Sequence, residues 1–243
     1  MNIIVLPTYN ERDNLRPALA RIRDVADRRG LQLHTLIVDD NSPDGTGELA
    51  DRLAAEIPDT SVLHRAGKEG LGRAYIAGFR EALARGADRI FEMDADLSHD
   101  AAYLPGFLRL IDQGADLVLG SRYVPGGGVR NWGLSRKVIS RGGCLYAQCI
   151  LGLPYHDLTG GYKCFRRRVL ESIDLDSIDT AGYGFQIEMT YRAHQLGFKI
   201  AELPIIFVDR AAGTSKMSND IVVEAMLNVW KLRFSQAPRR REA

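Results

Sequence analysis

Asn2-Ile-Ile-Val-Leu6 is an unbroken apolar run, the pattern of a strand buried on both faces of a parallel sheet. Pro7, which has no N–H to donate, is expected to stop it. From Asn14 to Arg29 the apolar residues Leu15, Leu19, Ile22 and Val25 recur at helical spacing, and Gly30 closes that helix. The alternation then repeats. Leu33 to Val38 predicts a strand that finishes in Asp39 and Asp40, and a helix follows through Leu49 and Leu53 to Pro58. Ser61 to His64 predicts a third strand, Gly70 to Gly86 a helix, and Ile90 to Met93 a fourth strand. Tyr103 to Gln113 predicts a helix and Ala115 to Gly120 a fifth strand. Such alternation with short connections predicts an α/β fold, a doubly wound and mostly parallel sheet up to about residue 120.

Beyond that point the alternation breaks. Arg136 to Leu153 reads as a helix with Val138, Leu145, Cys149 and Leu153 on one side, and Tyr162 to Phe165 as a strand. Phe185 to Leu196 is helical, Phe198 to Val208 is a long β-prone segment around Pro204, and Asp220 to Phe234 is a closing helix. The polar residues of that last helix, Asp220, Glu224, Asn228 and Lys231, form one narrow stripe. Its remaining circumference is apolar. A core or homo-oligomer contact accounts for this, and so does a lipid-facing surface with Trp230 and Phe234 outward and Arg233 and Arg239 to Arg241 near anionic headgroups.

Composition narrows the class. At 243 residues, with 45% hydrophobic and 26% charged, the chain suits one globular domain over residues 1–243, divided into a first half, 1–120, and an elaboration, 121–243. A net charge of +1 supplies no global basic field, so nucleic acid is not an expected partner. No apolar run reaches the length of a bilayer span, and Met1 leads straight into a strand, so neither a signal peptide nor a membrane anchor is expected. Cys144, Cys149 and Cys164 make an odd count with no CxxC pair, and read as reduced, buried or helix-packing residues.

The chemistry collects where strands end. Pro7 to Glu11, Asp39 to Asp44 and Asp94 to Ser98 are polar clusters at the carboxyl ends of three strands, the edge where open α/β sheets bind ligands. Asp94 and Asp96, one residue apart, could share a hard divalent cation whose shell a substrate diphosphate completes. The spacing alone leaves a solvated turn equally open, since Asp174-Leu-Asp176 repeats it in an ordinary charged stretch. Neither a G-x-G-x-x-G after the first strand nor a G-x-x-x-x-G-K-[ST] loop occurs, which removes the common dinucleotide, kinase and ATPase readings. Gly126-Gly-Gly128 is expected to be a flexible loop. His64, His99 and His156 lack zinc-ligand spacing and are expected to be solvated or hydrogen-bonded.

In order along the chain stand Pro7-Thr-Tyr-Asn-Glu11, Val38-Asp-Asp-Asn-Ser-Pro-Asp-Gly45, Met93-Asp-Ala-Asp-Leu-Ser-His99 and Gly120-Ser-Arg-Tyr123. Asp157-Leu-Thr-Gly-Gly-Tyr162 and Arg210-Ala-Ala-Gly-Thr-Ser-Lys216 follow. With these motifs nearly the whole chain resembles a family 2 glycosyltransferase of the GT-A fold, and within that family the dolichol- or polyprenol-phosphate mannose synthases. The resemblance implies a nucleotide-sugar half, 1–120, and an acceptor- and membrane-facing half, 121–243. It implies a donor pocket for GDP-mannose lined by Pro7, Tyr9, Glu11, Val38 and Asp40, with Glu11 equally suited to capping the helix that follows it. Asp94 and Asp96 would meet the diphosphate through Mg²⁺ or Mn²⁺, with Ala95 approaching by its backbone and Ser98 standing where some relatives carry a glutamine ligand.

The acceptor implied is a polyprenyl phosphate, already an oxyanion, which needs cations more than a general base. Arg122, Arg136, Arg210 and Lys216 are the candidates by charge, and the resemblance singles out Arg122, Arg210 and Lys216. The residues expected to act on the reaction itself are Asp94, Asp96, Arg122 and Arg210. Like the peripherally bound members, the protein is expected on the cytoplasmic face of a membrane, with a homo-oligomer or a membrane-protein partner allowed. Two alternatives stay open: transfer of glucose or N-acetylglucosamine from a uridine nucleotide, and a non-catalytic nucleotide-sugar-binding subunit.

Overall fold

The computed structural model describes residues 1–178, 180, 182–209 and 219–234, with side chains in the last segment from Met226 onward. The first half follows the predicted alternation: β1 (Asn2–Thr8), α1 (Arg12–Arg29), β2 (Leu33–Asp39), α2 (Thr46–Glu56), β3 (Thr60–His64), α3 (Leu71–Ala84), β4 (Arg89–Glu92), α4 (Leu104–Asp112) and β5 (Leu117–Ser121). The second half adds β6 (Gly128–Arg130), α5 (Leu134–Leu151), β7 (Lys163–Arg166), α6 (Arg167–Ser172), α7 (Gly182–Gln195), β8 (Ile200–Pro204), β9 (Ile206–Val208) and α8 (Asn219–Phe234).

Among the described residues seven strands form one sheet in the order β3-β2-β1-β4-β7-β5-β8. It is parallel except for β7, which runs antiparallel between β4 and β5 and pairs Glu92 with Lys163. The apolar strands are buried on both faces, as their composition predicts. Ile4, Leu6, Ile37 and Phe91 meet α1, α2 and α4 on one side, while Ile3, Val5, Leu36 and Ile90 meet α3, α6 and α7 on the other. Each such side chain contributes about 1.5–3 kcal/mol by leaving water. Gly78 is needed for the second layer, because a Cβ there would lie 2.3 Å from a methyl of Val5. A smaller core joins α5, α7 and α8 through Ala147, Leu151, Ile187, Tyr191, Val229 and Leu232.

Three expectations are corrected. Pro7 lies inside β1 and does not end it. The Val5 carbonyl accepts from Met93 N, so Pro7, two residues on, turns its missing donor to the same side, beyond the last β1–β4 pair. No ladder bond is lost there. The segment from Phe198 to Val208 is two strands: β8 pairs with β5 in the main sheet, and after Ile205 β9 pairs with β6 in a separate two-stranded sheet. The glycine run is correspondingly structured, since Gly128 begins β6 and a Cβ on Gly127 would meet the Ser121 carbonyl at 2.6 Å.

Candidate active site

Because β2, β1 and β4 are parallel neighbours, their polar carboxyl ends share one edge, as expected. Each following loop contains a residue at positive φ: Asn10 at 59°, Asn41 at 56° and Leu97 at 67°. Asparagine tolerates this backbone, whereas leucine does not, so the turn after Asp96 is locally strained. The first two loops are stitched together. Thr8 Oγ1 donates to Asp39 at 3.1 Å, Asn10 N to Ser42 Oγ at 3.1 Å and Glu11 N to Thr46 Oγ1 at 3.0 Å. Asp39 and Asp44 therefore build the loop. Burial pushes the Asp44 carboxyl up, but hydrogen bonds from the Thr46 side chain and backbone outweigh it and hold the group low.

The donor-side candidates divide by environment. Pro7 is buried, and the Val38 side chain packs in the core against Gly78, so only its backbone can border a ligand. Tyr9 is half-buried, with the Lys68 ammonium 4.3 Å from its ring centroid. Glu11 occupies the N-cap position, yet its side chain makes no capping bond and instead accepts from the Asn14 amide at 2.8 Å. Asp40 is buried and paired with Arg65 at 2.5 Å, and Arg65 also reaches Glu69 at 2.5 Å. Burial raises the Asp40 carboxyl while Arg65 opposes the shift.

At the end of β4, Asp94 is partly exposed, and its Oδ1 accepts from the Tyr75 hydroxyl at 2.8 Å. Its backbone N–H donates to His99 Nδ1 at 3.0 Å, which leaves the imidazole proton for Nε2. Asp96 is buried, and its Oδ1 accepts from Ser98 N at 3.0 Å. Ser98 Oγ is buried with no hydrogen-bond partner. Two carboxylates beside an unpaired hydroxyl oxygen suit a hard divalent cation of the magnesium or manganese type. Among the described residues no group of three or more His, Cys, Asp and Glu is arranged to hold a metal by itself. Ala95 is buried between the two acids. Asp174 instead caps a short 3₁₀ turn by accepting from Asp176 N, so the same spacing serves local structure there.

The acceptor-side cations differ in their surroundings. Arg122 is not an open cation: its Nε and Nη2 each lie 2.7 Å from the Asp157 carboxylate, and Nη2 also reaches Thr159 at 2.8 Å. Burial pushes the guanidinium down, but Asp157 more than compensates and keeps it charged. Arg136 lies 4.2 Å from the Trp132 ring centroid and pairs with Asp209 at 2.6 Å, while its buried Nε lacks a partner. Arg210 and Lys216 fall outside the described residues, as does Arg239 to Arg241. His64, His99 and His156 are hydrogen-bonded to Asp51, Asp94 N and Glu202, as expected.

The model described as Glycosyl transferase family 2 matches residues 3–174. This chain belongs to glycosyl transferase family 2. The undecaprenyl-phosphate mannosyltransferase of Micrococcus luteus is 52% identical over 227 residues, covering 93% of this chain and 91% of that protein. The polyprenol monophosphomannose synthase of Mycolicibacterium smegmatis is 49% identical over 234 residues, covering 95% and 87%. Among solved structures, glucosyl-3-phosphoglycerate synthase from Mycobacterium tuberculosis with Mn²⁺, uridine diphosphate and phosphoglyceric acid superimposes with a TM-score of 0.70 at 20% identity, covering 97% of this chain and 79% of that one. Mannosyl-3-phosphoglycerate synthase from Rubrobacter xylanophilus does so at 0.68 and 19%, covering 96% and 72%. At that identity the likeness shows a common fold, and the GT-A expectation is borne out.

Several residues that shape this family 2 site escaped the sequence reading. Arg65 and Lys68 come from the connection after β3, Tyr75 from α3 and Asp157 from the loop before β7. Asp157 stands in a quoted motif, but nothing local identifies its partner, 35 residues earlier. Glu92 carried the clearest signal, being an acid inside an apolar strand. It is fully buried opposite Lys163. Burial pushes Glu92 up to about 7 and Lys163 down to about 8, each against the attraction of the other.

Proposed function

We propose that this family 2 glycosyltransferase moves mannose from GDP-mannose to a polyprenyl phosphate, with inversion at the anomeric carbon, at a membrane surface. The reading is carried by the two relatives at 52% and 49% identity that span more than nine-tenths of the chain and act, by name, in polyprenyl-phosphate mannosylation.

In this reading the nucleotide lies along the ends of β2 and β1, bordered by Pro7, Tyr9, Glu11 and the Val38 and Asp40 backbone. Asp94, Asp96 and Ser98 would hold Mg²⁺ or Mn²⁺, which when bound neutralises charge on the departing diphosphate. Tyr75 and His99 orient Asp94 through its carboxylate and its backbone. The acceptor phosphate, an oxyanion at neutral pH, displaces the nucleotide at C1 in one step, so an α-linked donor gives a β-mannosyl phosphodiester. Arg136 and the motif from Arg210 to Lys216 would receive that phosphate. Arg122 acts behind them, holding the loop of Asp157 and Thr159 in place. Catalysis is chiefly positioning and electrostatic.

The membrane part is supported by surface chemistry. No helix among the described residues is long and apolar enough to cross a bilayer. Yet α5 exposes Leu134, Val138, Ile139 and Leu145, and α8 exposes Met226, Leu227, Trp230 and Phe234. The two helices pack against each other, so these side chains belong to neighbouring surfaces.

The deciding experiment is transfer of radiolabelled mannose from GDP-mannose to a short polyprenyl phosphate, with and without EDTA, alongside UDP-glucose and UDP-N-acetylglucosamine. Metal-dependent transfer from GDP-mannose is expected. Turnover of a uridine donor in its place would sink the assignment of base and sugar, and no turnover of any donor would favour a binding subunit.

A further inference from the structure

Beneath the edge of the site lies a polar group that the reaction as described does not use. Gln186, on the first turns of α7, is 3% exposed; its amide makes no hydrogen bond of good geometry, although it lies near enough to the Glu92 carboxylate to favour that group's charged form. A buried amide left incompletely paired costs up to about 1–3 kcal/mol, so its retention calls for an explanation. Its backbone is firmly held: the carbonyl accepts from the buried Lys163 ammonium at 2.7 Å and from Thr190 Oγ1 at 3.1 Å. The side chain is therefore presented from a fixed point.

The neighbourhood gives its direction. A Cβ added to Gly161 would stand 3.3 Å from Gln186 Nε2 and 3.8 Å from Asp94 Oδ2. Gly161 is half-buried, so the space its missing side chain leaves lies at the rim of the site, between an amide and one of the β4 carboxylates. A hydroxyl group suits such a place, because it can donate to one oxygen while accepting from the amide N–H. Glu92 lies deeper, fully buried under the same strand end, its carboxylate approached by the Gln186 amide without a hydrogen bond of good geometry.

We propose that the Gln186 side-chain amide, reached through the opening at Gly161 beside Asp94, is a specificity-determining contact for a hydroxyl of the donor hexose. The proposal rests on the nucleotide-sugar reading of the site and adds to it the group that reads the sugar. Gln186 would discriminate among hexoses by the hydroxyl it satisfies, since a site built to hydrogen-bond a hydroxyl strongly rejects an analogue that cannot fill it.

The test compares sugar with nucleotide. Wild-type protein and Gln186→Met, which keeps length but removes both polar atoms, are titrated calorimetrically with GDP and with GDP-mannose in Mn²⁺ buffer, and turnover is compared between GDP-mannose and GDP-glucose. Gln186→Met should keep its GDP affinity, and any fall in its melting temperature reports the loss of the amide beside Glu92. It should lose about tenfold in GDP-mannose affinity relative to GDP, together with the preference between the two epimers. An unchanged affinity ratio and epimer preference, with or without a fall in melting temperature, would overturn the proposal. Should Gln186→Met fail to fold, Gly161→Ala fills the opening and leaves the amide in place. The same selective loss is expected, and full GDP-mannose affinity in that variant would overturn the proposal. If wild-type protein binds UDP-glucose in place of GDP-mannose, only the donor assignment fails, and the same comparison with UDP and UDP-glucose decides Gln186. Binding of no nucleotide-sugar would overturn both.

Discussion

The Arg122 guanidinium grips the Asp157 carboxylate with two parallel hydrogen bonds of 2.7 Å, and the two side chains are 5% and 0% exposed. The Arg122 backbone N–H adds a third bond, at 2.9 Å. A cation so placed cannot also approach a lipid phosphate without leaving its partner. Removing one member of a buried pair costs about 3–5 kcal/mol, because the other charge stays behind. Arg122→Ala should therefore lower stability by that order in urea denaturation, and Arg122→Lys should also destabilise, since an ammonium cannot fork. An Arg122→Ala protein of wild-type stability would return Arg122 to the phosphate-binding group.

The same pair predicts a pH dependence. Burial pushes the Asp157 carboxyl up, but Arg122 outweighs it and holds the native value below the ordinary one. A depressed carboxylate contributes stability that is present above the unfolded pKa of about 3.9 and is lost as pH falls through the lower native value. Below about pH 4 the stability of the wild-type protein should fall more steeply than that of Asp157→Asn. Parallel acid-denaturation curves for the two would show that the pair is not linked to folding.

Asp94→Ala and Asp96→Ala should abolish transfer and weaken diphosphate binding in Mn²⁺, while melting temperatures stay close to wild type. Neither side chain belongs to an apolar core cluster, and the hydrogen bonds that Asp94 accepts from Tyr75 and Asp96 from Ser98 contribute on the order of 1 kcal/mol each. Asp174→Ala should leave turnover unchanged, since that carboxylate caps a 3₁₀ turn away from the β4 end. Near wild-type turnover in Asp96→Ala would remove the metal reading altogether.

What the sequence revealed of this fold was its short-range part. The helices and the strands β1 to β5 rest on periodicities within 20 residues, so their order and approximate ends were legible. The antiparallel insertion of β7 was not, because its neighbours β4 and β5 lie some 45 to 75 residues earlier in the chain. The three-residue strands β6 and β9 are too short to carry a period, and α6 follows β7 without a break. The site divides in the same way. Asp94 and Asp96 announce themselves by adjacency at a strand end. Arg65, Tyr75, Asp157 and Gln186 take their meaning from partners or openings that only the folded chain brings near.

Glu92 and Lys163 face each other across β4 and β7 with neither side chain exposed. The Lys163 ammonium donates to the Gln186 carbonyl, and the Glu92 carboxylate is approached by the Gln186 amide without a hydrogen bond of good geometry. Such a pair is costly to bury and costlier to break. Glu92→Leu and Lys163→Met should each destabilise the protein by a few kcal/mol, while the double variant should recover most of the loss. Additive single-variant losses in a double-mutant cycle would show that the two side chains do not act as a pair.

The last helix gives the most direct test of the membrane reading. Val229 and Leu232 of α8 are buried against α5 and α7, while Trp230 and Phe234 stack on each other at 5.7 Å and lie 46% and 78% exposed. The inward face is thus satisfied by the fold and the outward face is not. Lys231 and Arg233 on α8 and Lys137 on α5 are exposed beside these apolar groups. A polyprenyl chain stays in the bilayer, since each buried CH₂ contributes about 0.8 kcal/mol, so an enzyme acting on its phosphate must come to the headgroups. Exposed cations near an anionic surface add about 1 kcal/mol each and are screened by salt. The protein should therefore float with anionic vesicles at low salt and dissociate as salt rises. Trp230→Ser with Phe234→Ser should reduce flotation without changing GDP affinity or melting temperature, because neither side chain belongs to the core. Undiminished flotation would take α8 out of the membrane reading. A shift in oligomeric state with flotation unchanged would identify its outward face as a contact between copies of the chain.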